Sequence, residues 1–339
     1  MIIGKDFQGP LSAETEAYPD GIILPINKPY RWTSADVVRK VKFAAVRHFH
    51  KKNLKVGHAG TLDPLAGGVL LICVGKATRL AERLQSSDKE YIADLVIGAS
   101  TASYDLEKPI DKFYPDQTVD EERLRAALEA FRGEQEQAAP IFSAKLAGGK
   151  RGYEIARKLY AQAQNESVER VSEGEVKTCE TGMKKGLQVL ETGLALTDAE
   201  NLLRKQKIKI HELELLDFAD SAASSGISAV SSGISAKNSG ISDASSGVSS
   251  DGSNISAKNS DISDASSRIN VEDISGLQLP RARLRIRCSK GTYIRALARD
   301  LGLSTGGGAF LAGLLRTENG GVRLENCLSM EEALKLFTK

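Results

Sequence analysis

The sequence predicts an α+β fold, and three observations carry this prediction. Apolar runs at 22–26 and 69–74 have the length of strands, and the second is continuous, as in a strand buried on both faces. Between these runs, residues 33–48 open with a helix start signal. Residues 90–98 alternate, with one apolar face made of Tyr91, Ala93, Leu95 and Ile97. Strands and helices therefore alternate along a chain of 339 residues, which is long enough for one large domain or two ordinary ones.

Capping signals indicate where two helices start. Thr33 and Asp36 have the spacing of a capping box, which predicts a helix that runs to about His48. Thr118 and Glu121 repeat this spacing and predict a second helix start. The apolar stripe of that second helix is formed by Leu124, Leu128 and Phe131. Gly133 is its predicted stop.

Two further predicted strands surround a low-complexity segment. Residues 208–218 enter it, and residues 281–289 leave it. The second strand has two unlike faces, namely Arg281, Arg283, Arg285 and Arg287 against Ala282, Leu284, Ile286 and Cys288. Because the entropy of closing a loop grows slowly with its length, such a connection can be expanded without disturbing the fold.

The low-complexity segment, residues 219–275, is dominated by Ser, Gly, Ala, Asn and Asp and has no aromatic residue. Within it, ISAKNSGISDASS at 234–246 returns with one change at 255–267, a period of 21 residues. This composition cannot bury enough apolar surface to offset the entropy of ordering, so we predict a large disordered insertion. A regular β-solenoid is the alternative.

The predicted domain organisation follows from these observations. Residues 1–20 form an N-terminal extension, and residues 21–339 form one domain. That domain is interrupted by the segment 219–275 and by a second, variable insertion at 165–205, which is rich in Glu and Lys.

Positive charge is concentrated in one part of the chain. The formal net charge is only +2, but residues 37–62 contain no Asp or Glu and carry seven Lys or Arg side chains. A one-sided basic segment suits contact with phosphate groups. A solvated helix face with unpaired lysines is the alternative interpretation.

The cysteines and the apolar runs bound the class of protein. The cysteines have neither metal-ligand spacing nor a disulfide pattern, and they are Cys73, Cys179, Cys288 and Cys327. They indicate a reduced, cytoplasmic protein. Residues 1–9 lack the apolar core of a signal peptide, and the longest apolar run, 67–75, is too short to span a membrane. We expect no metal and no cofactor.

The glycine-rich stretch 57–68 is the first candidate site. Its glycines allow a tight chain path, and Asp63 is the one acid in a long basic neighbourhood. Pro64 fixes the chain directly after it. An Asp-Pro pair in a Gly-rich loop is more often a simple turn, so both interpretations stay open on residue types alone.

Arg295 and Tyr91 are candidates for the same site. Arg295 lies in the first turn of the helix predicted after 281–289, where it could pair with a carboxylate. The alternative is an exposed helix arginine. Tyr91 opens the strand 90–98, where its ring could stack on a base, although a tyrosine of the core is the simpler interpretation.

Several segments then carry a family resemblance together. They read Leu-Pro-Ile-Asn-Lys-Pro at 24–29, Trp-Thr-Ser at 32–34, Gly-His-Ala-Gly-Thr-Leu-Asp-Pro-Leu-Ala-Gly-Gly at 57–68, Lys-Glu-Tyr at 89–91, Pro-Ile-Phe-Ser-Ala at 140–144 and Ser-Lys-Gly-Thr-Tyr-Ile-Arg at 289–295. In this order they resemble the motifs of the TruB family of tRNA pseudouridine synthases. The resemblance covers roughly 20–160 and 276–335.

The resemblance implies a fold and a reaction. The fold is the pseudouridine-synthase fold, with a mixed, mainly antiparallel central sheet flanked by helices and loops. The reaction isomerises uridine to pseudouridine at position 55, in the TΨC stem-loop of tRNA, on a flipped-out base and without a cofactor. The residues 21–339 would then be the catalytic domain.

The resemblance also implies roles for single residues. Asp63 is the expected catalytic carboxylate, Arg295 is expected to pair with it, and Tyr91 is expected to stack on the base. Substrate-binding roles are expected for His58, Tyr293, Leu314, Lys28 and Lys290. The segment 39–55 and the arginines of 281–287 are candidates for contacts to the RNA backbone.

Some positions depart from the family pattern. The family often has His and Arg where Phe310 and Leu315 stand here, which puts RNA contacts at those positions in doubt. In the central segment, Lys145 sits one place earlier than usual and Leu146 takes the expected lysine position. The chain also leaves little room for a C-terminal RNA-binding PUA module after Ala333.

Three functional interpretations remain at this point. The first is a synthase for position 55 of tRNA, and the second is a synthase that acts on another RNA uridine. The third is a non-catalytic RNA-binding or RNA-folding factor on the same scaffold. In each case we expect a cytoplasmic monomer that binds RNA and needs no membrane and no obligate protein partner.

Overall fold

The structure is a computed structural model that describes residues 1–115, 119–143, 145–147, 150–160, 204–220, 269 and 271–338. Most of the two predicted insertions, 165–205 and 219–275, lies outside these described residues.

The described residues form strands and helices that alternate along the chain, as predicted. The strands are β1 (Ile22–Lys28), β2 (Val56–Ala59), β3 (Ala66–Val74), β4 (Lys89–Ile97), β5 (Ala99–Thr101), β6 (Ile110–Phe113), β7 (Gly133–Gln137), β8 (Leu146–Ala147), β9 (Lys150–Arg151), β10 (Gln206–Ala219), β11 (Arg281–Cys288), β12 (Ala309–Asn319) and β13 (Val322–Arg323). The helices are α1 (Ser34–His48), α2 (Ala81–Gln85), α3 (Glu121–Ala130), α4 (152–160), α5 (Ile294–Thr305) and α6 (Met330–Lys335). Short 3₁₀ helices cover Thr15–Ala17, Gly75–Leu80 and Leu324–Asn326.

One large sheet organises the protein. Its strands follow the order β1-β3-β12-β4-β11-β10-β7, with β2 beside β3 and β13 beside β12. The pair β3–β12 is parallel, and the other pairs of this sheet are antiparallel. The prediction of a mixed, mainly antiparallel central sheet is confirmed.

Helices α1 and α5 pack on the sheet because each has an apolar stripe. Helix α1 buries Val37, Val41 and Ala45 at intervals of four residues, and α5 buries Leu297 and Leu301. These side chains belong to a single large core cluster with apolar residues of β1, β3, β4 and β11. Each buried branched side chain contributes about 1.5–3 kcal/mol to this packing.

The sequence placed most elements correctly and one cap incorrectly. Thr33 and Asp36 form the predicted capping box, and α1 ends at the predicted His48. Helix α3 is capped by Asp120, whose side chain accepts a hydrogen bond from the Arg123 amide, and not by Thr118, which lies outside the described residues. An Asp at this position satisfies an amide of the first turn and suits the positive end of the helix dipole.

The ends of the low-complexity segment are more ordered than its composition suggested. Ala219 is the last residue of β10. Ile269 and Ile274 pack against an apolar cluster that includes Leu106, and the Glu272 amide donates to the Leu106 carbonyl at 2.9 Å. The residues 271–275 therefore belong to the folded body, although the sequence placed them in the insertion.

Candidate active site

The loop that carries Asp63 lies at a junction of the central sheet. It spans residues 60–65 and connects β2 with β3. One edge of β3 pairs with β1, whereas the other edge pairs with β12 at residues 66–68 and with β2 at residues 71–74. The loop thus passes the place along this edge of β3 where its partner changes from β12 to β2.

Arg295 holds the Asp63 carboxylate with a two-pronged contact. Its Nε donates to Asp63 Oδ2 at 2.9 Å, and its Nη2 donates to Oδ1 at 2.8 Å. The Arg295 side chain is 5 % exposed, whereas that of Asp63 is 34 % exposed. A buried guanidinium thus orients a carboxylate that still reaches solvent, and the predicted pair is present in the structure.

Asp105 is a second carboxylate beside the same guanidinium. Its Oδ2 lies 3.7 Å from Arg295 Nε, and its Oδ1 accepts from Ser103 Oγ at 2.6 Å and from the Glu107 amide at 3.0 Å. Burial raises the pKa of Asp105 to about 6, against the opposing effect of Arg295. Burial lowers the pKa of Arg295, but Asp63 and Asp105 more than offset this effect.

Side chains from three other elements hold the backbone of the Asp63 loop. Asn319 Nδ2 donates to the Ala59 carbonyl at 3.2 Å. The remaining donors are Arg316 to the carbonyls of Gly60 and Thr61, Ser34 Oγ to the carbonyl of Leu62, and Lys28 Nζ to the carbonyl of Pro64. Backbone groups in a buried loop need such partners, so these contacts fix the loop before any ligand arrives.

Lys28 has a structural position and does not face the site. Its side chain is fully buried, and Nζ donates to the carbonyls of Pro29 at 2.9 Å, Trp32 at 2.6 Å and Pro64 at 3.2 Å. Burial lowers the pKa of Lys28 to about 7, although the negative charge of Asp63 opposes this effect. The structure therefore does not support the expected contact of Lys28 with substrate.

Tyr91 on β4 and His58 on β2 lie close to the Asp63 loop. Tyr91 is 7 % exposed and belongs to the main core cluster. His58 is half-buried in β2, and burial, together with Arg316, lowers its pKa, so its ring is neutral at pH 7. A neutral ring suits insertion between stacked bases better than an imidazolium does.

A small pocket opens beside Asp63. Leu314 and Arg295 line it together with Asp63, and Leu106 and Leu65 complete its apolar wall. Its free volume is about 10 Å³, which is room for a single water molecule and not for a uracil ring. A base can enter only after these walls separate.

Tyr293 and Lys290 lie outside this pocket. Tyr293 is the N-cap residue of α5, and its backbone exchanges two hydrogen bonds with the Gln137 side chain. Its ring packs against a separate cluster with Ile141 and Phe142. Lys290 is exposed at the turn before α5. Of the residues predicted for the site, the structure brings Asp63, Arg295 and Leu314 together at the pocket.

The arginine face of β11 is already matched by acids of neighbouring strands, which are Asp94 of β4 and Glu214 and Glu212 of β10. Arg283 forms a fork with Asp94 at 2.7 and 3.2 Å, and Arg285 pairs with Glu214. Arg287 lies 3.8 Å from Glu212. The predicted role of these arginines in RNA contact therefore receives no support, because their charge is largely compensated within the sheet.

Helix α1 has an exposed basic face. It consists of Arg39, Lys42, Phe43 and Arg47. The Phe43 ring is 45 % exposed, and the Arg47 Cζ lies 5.4 Å from its centroid. Arg39 also pairs with Asp36 at 3.0 Å. The helix thus offers positive charge around one exposed aromatic ring.

The two departures from the family pattern near the C-terminus occupy different environments. Phe310 is fully buried in an apolar cluster with Leu65, Leu106 and Ala312, so it is not part of an RNA-contacting edge. Leu315 is half-buried on β12. Phe310 is therefore no candidate for an RNA contact.

The sequence analysis missed three residues that shape the site, namely Asp105, Ser34 and Arg316. Asp105 stands 190 positions before Arg295, outside any recognised motif. Ser34 was noticed only as part of Trp-Thr-Ser. In a single sequence, nothing marks these residues as neighbours of Asp63.

The described part of the chain has neither a candidate metal site nor a candidate membrane-spanning helix. No group of three or more His, Cys, Asp or Glu side chains there could hold a metal ion. None of its helices combines the length and the apolar character that a membrane crossing requires.

Comparisons with known proteins identify relatives of this chain. Residues 47–191 match the sequence profile described as TruB family pseudouridylate synthase (N terminal domain). The tRNA pseudouridine synthase B of Phocaeicola vulgatus is 36% identical over 314 residues, which cover 93% of this chain and 92% of that protein. The protein of the same name from Flavobacterium johnsoniae is 31% identical, over 94% of this chain and 99% of that protein.

A solved structure, "Crystal Structure of a Cbf5-Nop10-Gar1 Complex", aligns with 97% of this chain and 59% of its own chain, at 19% identity and a TM-score of 0.49. This chain thus spans about three fifths of that solved chain. The curated relatives, by contrast, match along nearly their whole length. Because they are more than 30% identical to it, the chain belongs to the TruB family of pseudouridine synthases.

Proposed function

We propose that this protein converts uridine 55 in the TΨC loop of tRNA to pseudouridine, with Asp63 as its catalytic residue. The observation that carries the proposal is the buried fork of Arg295, which orients the partly exposed Asp63 carboxylate at the mouth of an apolar pocket. The relatives named tRNA pseudouridine synthase B support the substrate.

The reaction requires a carboxylate and no redox partner. The N1–C1′ bond breaks, the uracil turns within the pocket, and a C5–C1′ bond forms. C5 loses its proton and N1 gains one, so atoms and electrons balance. Asp63 acts at C1′, either as a nucleophile or by stabilising the positive charge that develops there.

The other residues near Asp63 prepare it for this task. Arg295 orients the carboxylate, and Asp105 shares the positive charge of Arg295. The apolar walls around Leu314 exclude water once the base is inside. Tyr91 is proposed to stack on the base and His58 to fill the space that the base leaves.

We propose that the basic face of α1 contacts the tRNA backbone. The helix starts at the Asp63 loop, where Ser34 bonds to Leu62, and at about 1.5 Å per residue it extends some 20 Å away from it. Reversing the charge with Arg47→Glu should weaken tRNA binding. It should also reduce the slope of log affinity against log salt concentration by about one. The matched control is Arg125→Glu on α3, which should leave both unchanged. Equal effects of the two variants would remove α1 from the interface.

One assay separates the possible functions. The full chain is incubated with a tRNA transcript tritiated at C5 of uridine, and tritium release is followed. The product is mapped by carbodiimide-blocked reverse transcription. We expect release from position 55 and a loss of at least about a thousand-fold with Asp63→Asn, with unchanged tRNA affinity.

Other outcomes of this assay are equally informative. Release that maps to another uridine would refute the position and leave the chemistry intact. RNA binding without release from the wild-type chain would favour a non-catalytic RNA-binding factor. Full activity of Asp63→Asn would remove Asp63 from its proposed role.

We also propose that the protein works as a monomer in the cytoplasm. Three described cysteines, Cys73, Cys288 and Cys327, are free thiols and buried, which fits a reducing compartment. Exposed large apolar side chains such as Leu216 and Leu303 lie on separate elements. Light scattering on a sizing column tests the monomer, and a dimer mass would contradict it.

A further inference from the structure

Arg316 is the largest fully buried side chain among the described residues, with 1 % exposure. A buried guanidinium needs an acceptor for its donors, because an unpaired charge in the interior is costly. Arg316 finds its acceptors on the backbone, and its Nε donates to the Val69 carbonyl at 2.7 Å. This contact fixes the side chain against β3.

The other two nitrogens of Arg316 reach the loop that carries Asp63. Nη2 donates to the Gly60 carbonyl at 3.1 Å, and Nη1 lies 3.4 Å from the Thr61 carbonyl. Thr61 stands two residues before Asp63. The position of that carboxylate along the loop therefore depends on where the guanidinium sits.

Arg316 also lies beside Tyr91. The two residues are directly opposite each other where β12 pairs with β4, so their side chains share one face of the sheet. The positive charge of the guanidinium thus lies on the same face of the sheet as the Tyr91 side chain. Burial raises the pKa of Tyr91, and the charge of Arg316 opposes this effect.

We propose that Arg316 is a positioning residue for the isomerisation, because one buried guanidinium holds the loop of Asp63 and lies beside Tyr91 on the same face of the sheet. The inference rests on the proposed function of those two residues. Arg316 does not line the pocket, so it acts through its neighbours and not on the reacting atoms. Its effect is to hold the two functional groups at a constant separation.

The test compares Arg316→Met and Arg316→Lys with the control Arg323→Met. Arg323 is exposed on the neighbouring β13. For each full-length variant, single-turnover tritium release, tRNA affinity and thermal unfolding are measured. We expect Arg316→Met to slow release by about 100-fold while tRNA affinity changes less than about three-fold, because small displacements of catalytic groups have effects of this size. Arg316→Lys should recover part of the rate, since an ammonium can still reach one carbonyl.

A double-mutant cycle with Tyr91→Phe distinguishes positioning from general stability. If Arg316 acts partly through the hydroxyl, Arg316→Met costs less in the Tyr91→Phe background than in the wild type. Equal costs in both backgrounds would overturn the inference, as would a folded Arg316→Met with the wild-type rate. Should Arg316→Met fail to fold, the same cycle is run with Arg316→Lys. A wild-type chain without tritium release would refute the proposed function instead.

Discussion

Replacing Asp105 with Asn should stabilise the protein in a pH-dependent way. The pKa of Asp105 is about 6 in the folded protein and 3.8 in the reference state. Because the folded value is the higher one, this group contributes stability that is complete below about pH 4 and lost as the pH rises through 6. The loss totals about two pKa units, or about 3 kcal/mol. Of this, about 1 kcal/mol falls between pH 5 and pH 8.

The Asp105→Asn variant keeps the hydrogen bonds that the wild-type side chain accepts from uncharged groups. The amide oxygen of Asn can still accept from Ser103 Oγ and from the Glu107 amide, as Asp105 Oδ1 does. The amide nitrogen would occupy the position of Oδ2, which lies 3.7 Å from Arg295 Nε and is too far for a hydrogen bond. The change therefore removes a buried charge with little change of shape.

Urea unfolding at pH 5 and pH 8 measures the effect, with Trp32, the single tryptophan, as the fluorescent probe. The stability of Asp105→Asn relative to the wild type should rise by about 1 kcal/mol between the two pH values. The exposed control Asp217→Asn should show no such rise. A difference that stays constant would refute the reasoning, because Asp105 would then titrate near its ordinary pKa.

The same variant should be a slower enzyme. Without the charge of Asp105, the whole positive charge of Arg295 acts on Asp63 and weakens that carboxylate as a nucleophile or as a stabiliser of positive charge. Single-turnover tritium release should fall by about ten-fold or more, which corresponds to about 1.4 kcal/mol. A stabler but slower variant is the expected signature of a charge kept for function.

Two further predictions concern residues that adjoin or hold the Asp63 loop. Gly68→Ala should lower the free energy of unfolding by more than about 3 kcal/mol, because Gly68 has φ +101° and an added Cβ would meet the Arg316 carbonyl oxygen at 2.2 Å. The control is Gly57→Ala, where an added Cβ meets open space, and the denaturant midpoints of the two variants are compared. Ser34→Ala should cost about 1–3 kcal/mol and slow tritium release, because it leaves the amide and carbonyl of Leu62 unpaired; an unchanged rate would show that this contact is dispensable for positioning.

Local patterns were sufficient to predict much of the fold. The alternation along 90–98 became β4, and the capping box at Thr33 became the start of α1. These predictions succeed because strand and helix periodicities are properties of neighbouring residues. The pairing order of the sheet was accessible only through the family resemblance, since β3 and β12 lie more than 230 residues apart.

The candidate site was predictable in part for the same reason. Asp63 and Arg295 were named through motifs, and they form the expected pair. The pairing of Arg285 with Glu214 was not predicted, because cross-strand neighbours depend on register, which one strand alone does not reveal. Asp105 was missed because its contact with Arg295 arises from tertiary packing.

The shared edge of β3 has a consequence for how this chain can change over evolutionary time. The loop at 60–65 must join two fixed registers, Ala59 opposite Leu71 and Ala66 opposite Leu314. One inserted or deleted residue would shift one pairing and turn its side chains to the wrong face. The connection between β10 and β11 is free of this constraint, since a hairpin end can grow outward. Length variation should therefore accumulate at that hairpin, while the Asp63 loop accepts substitutions but no change of length.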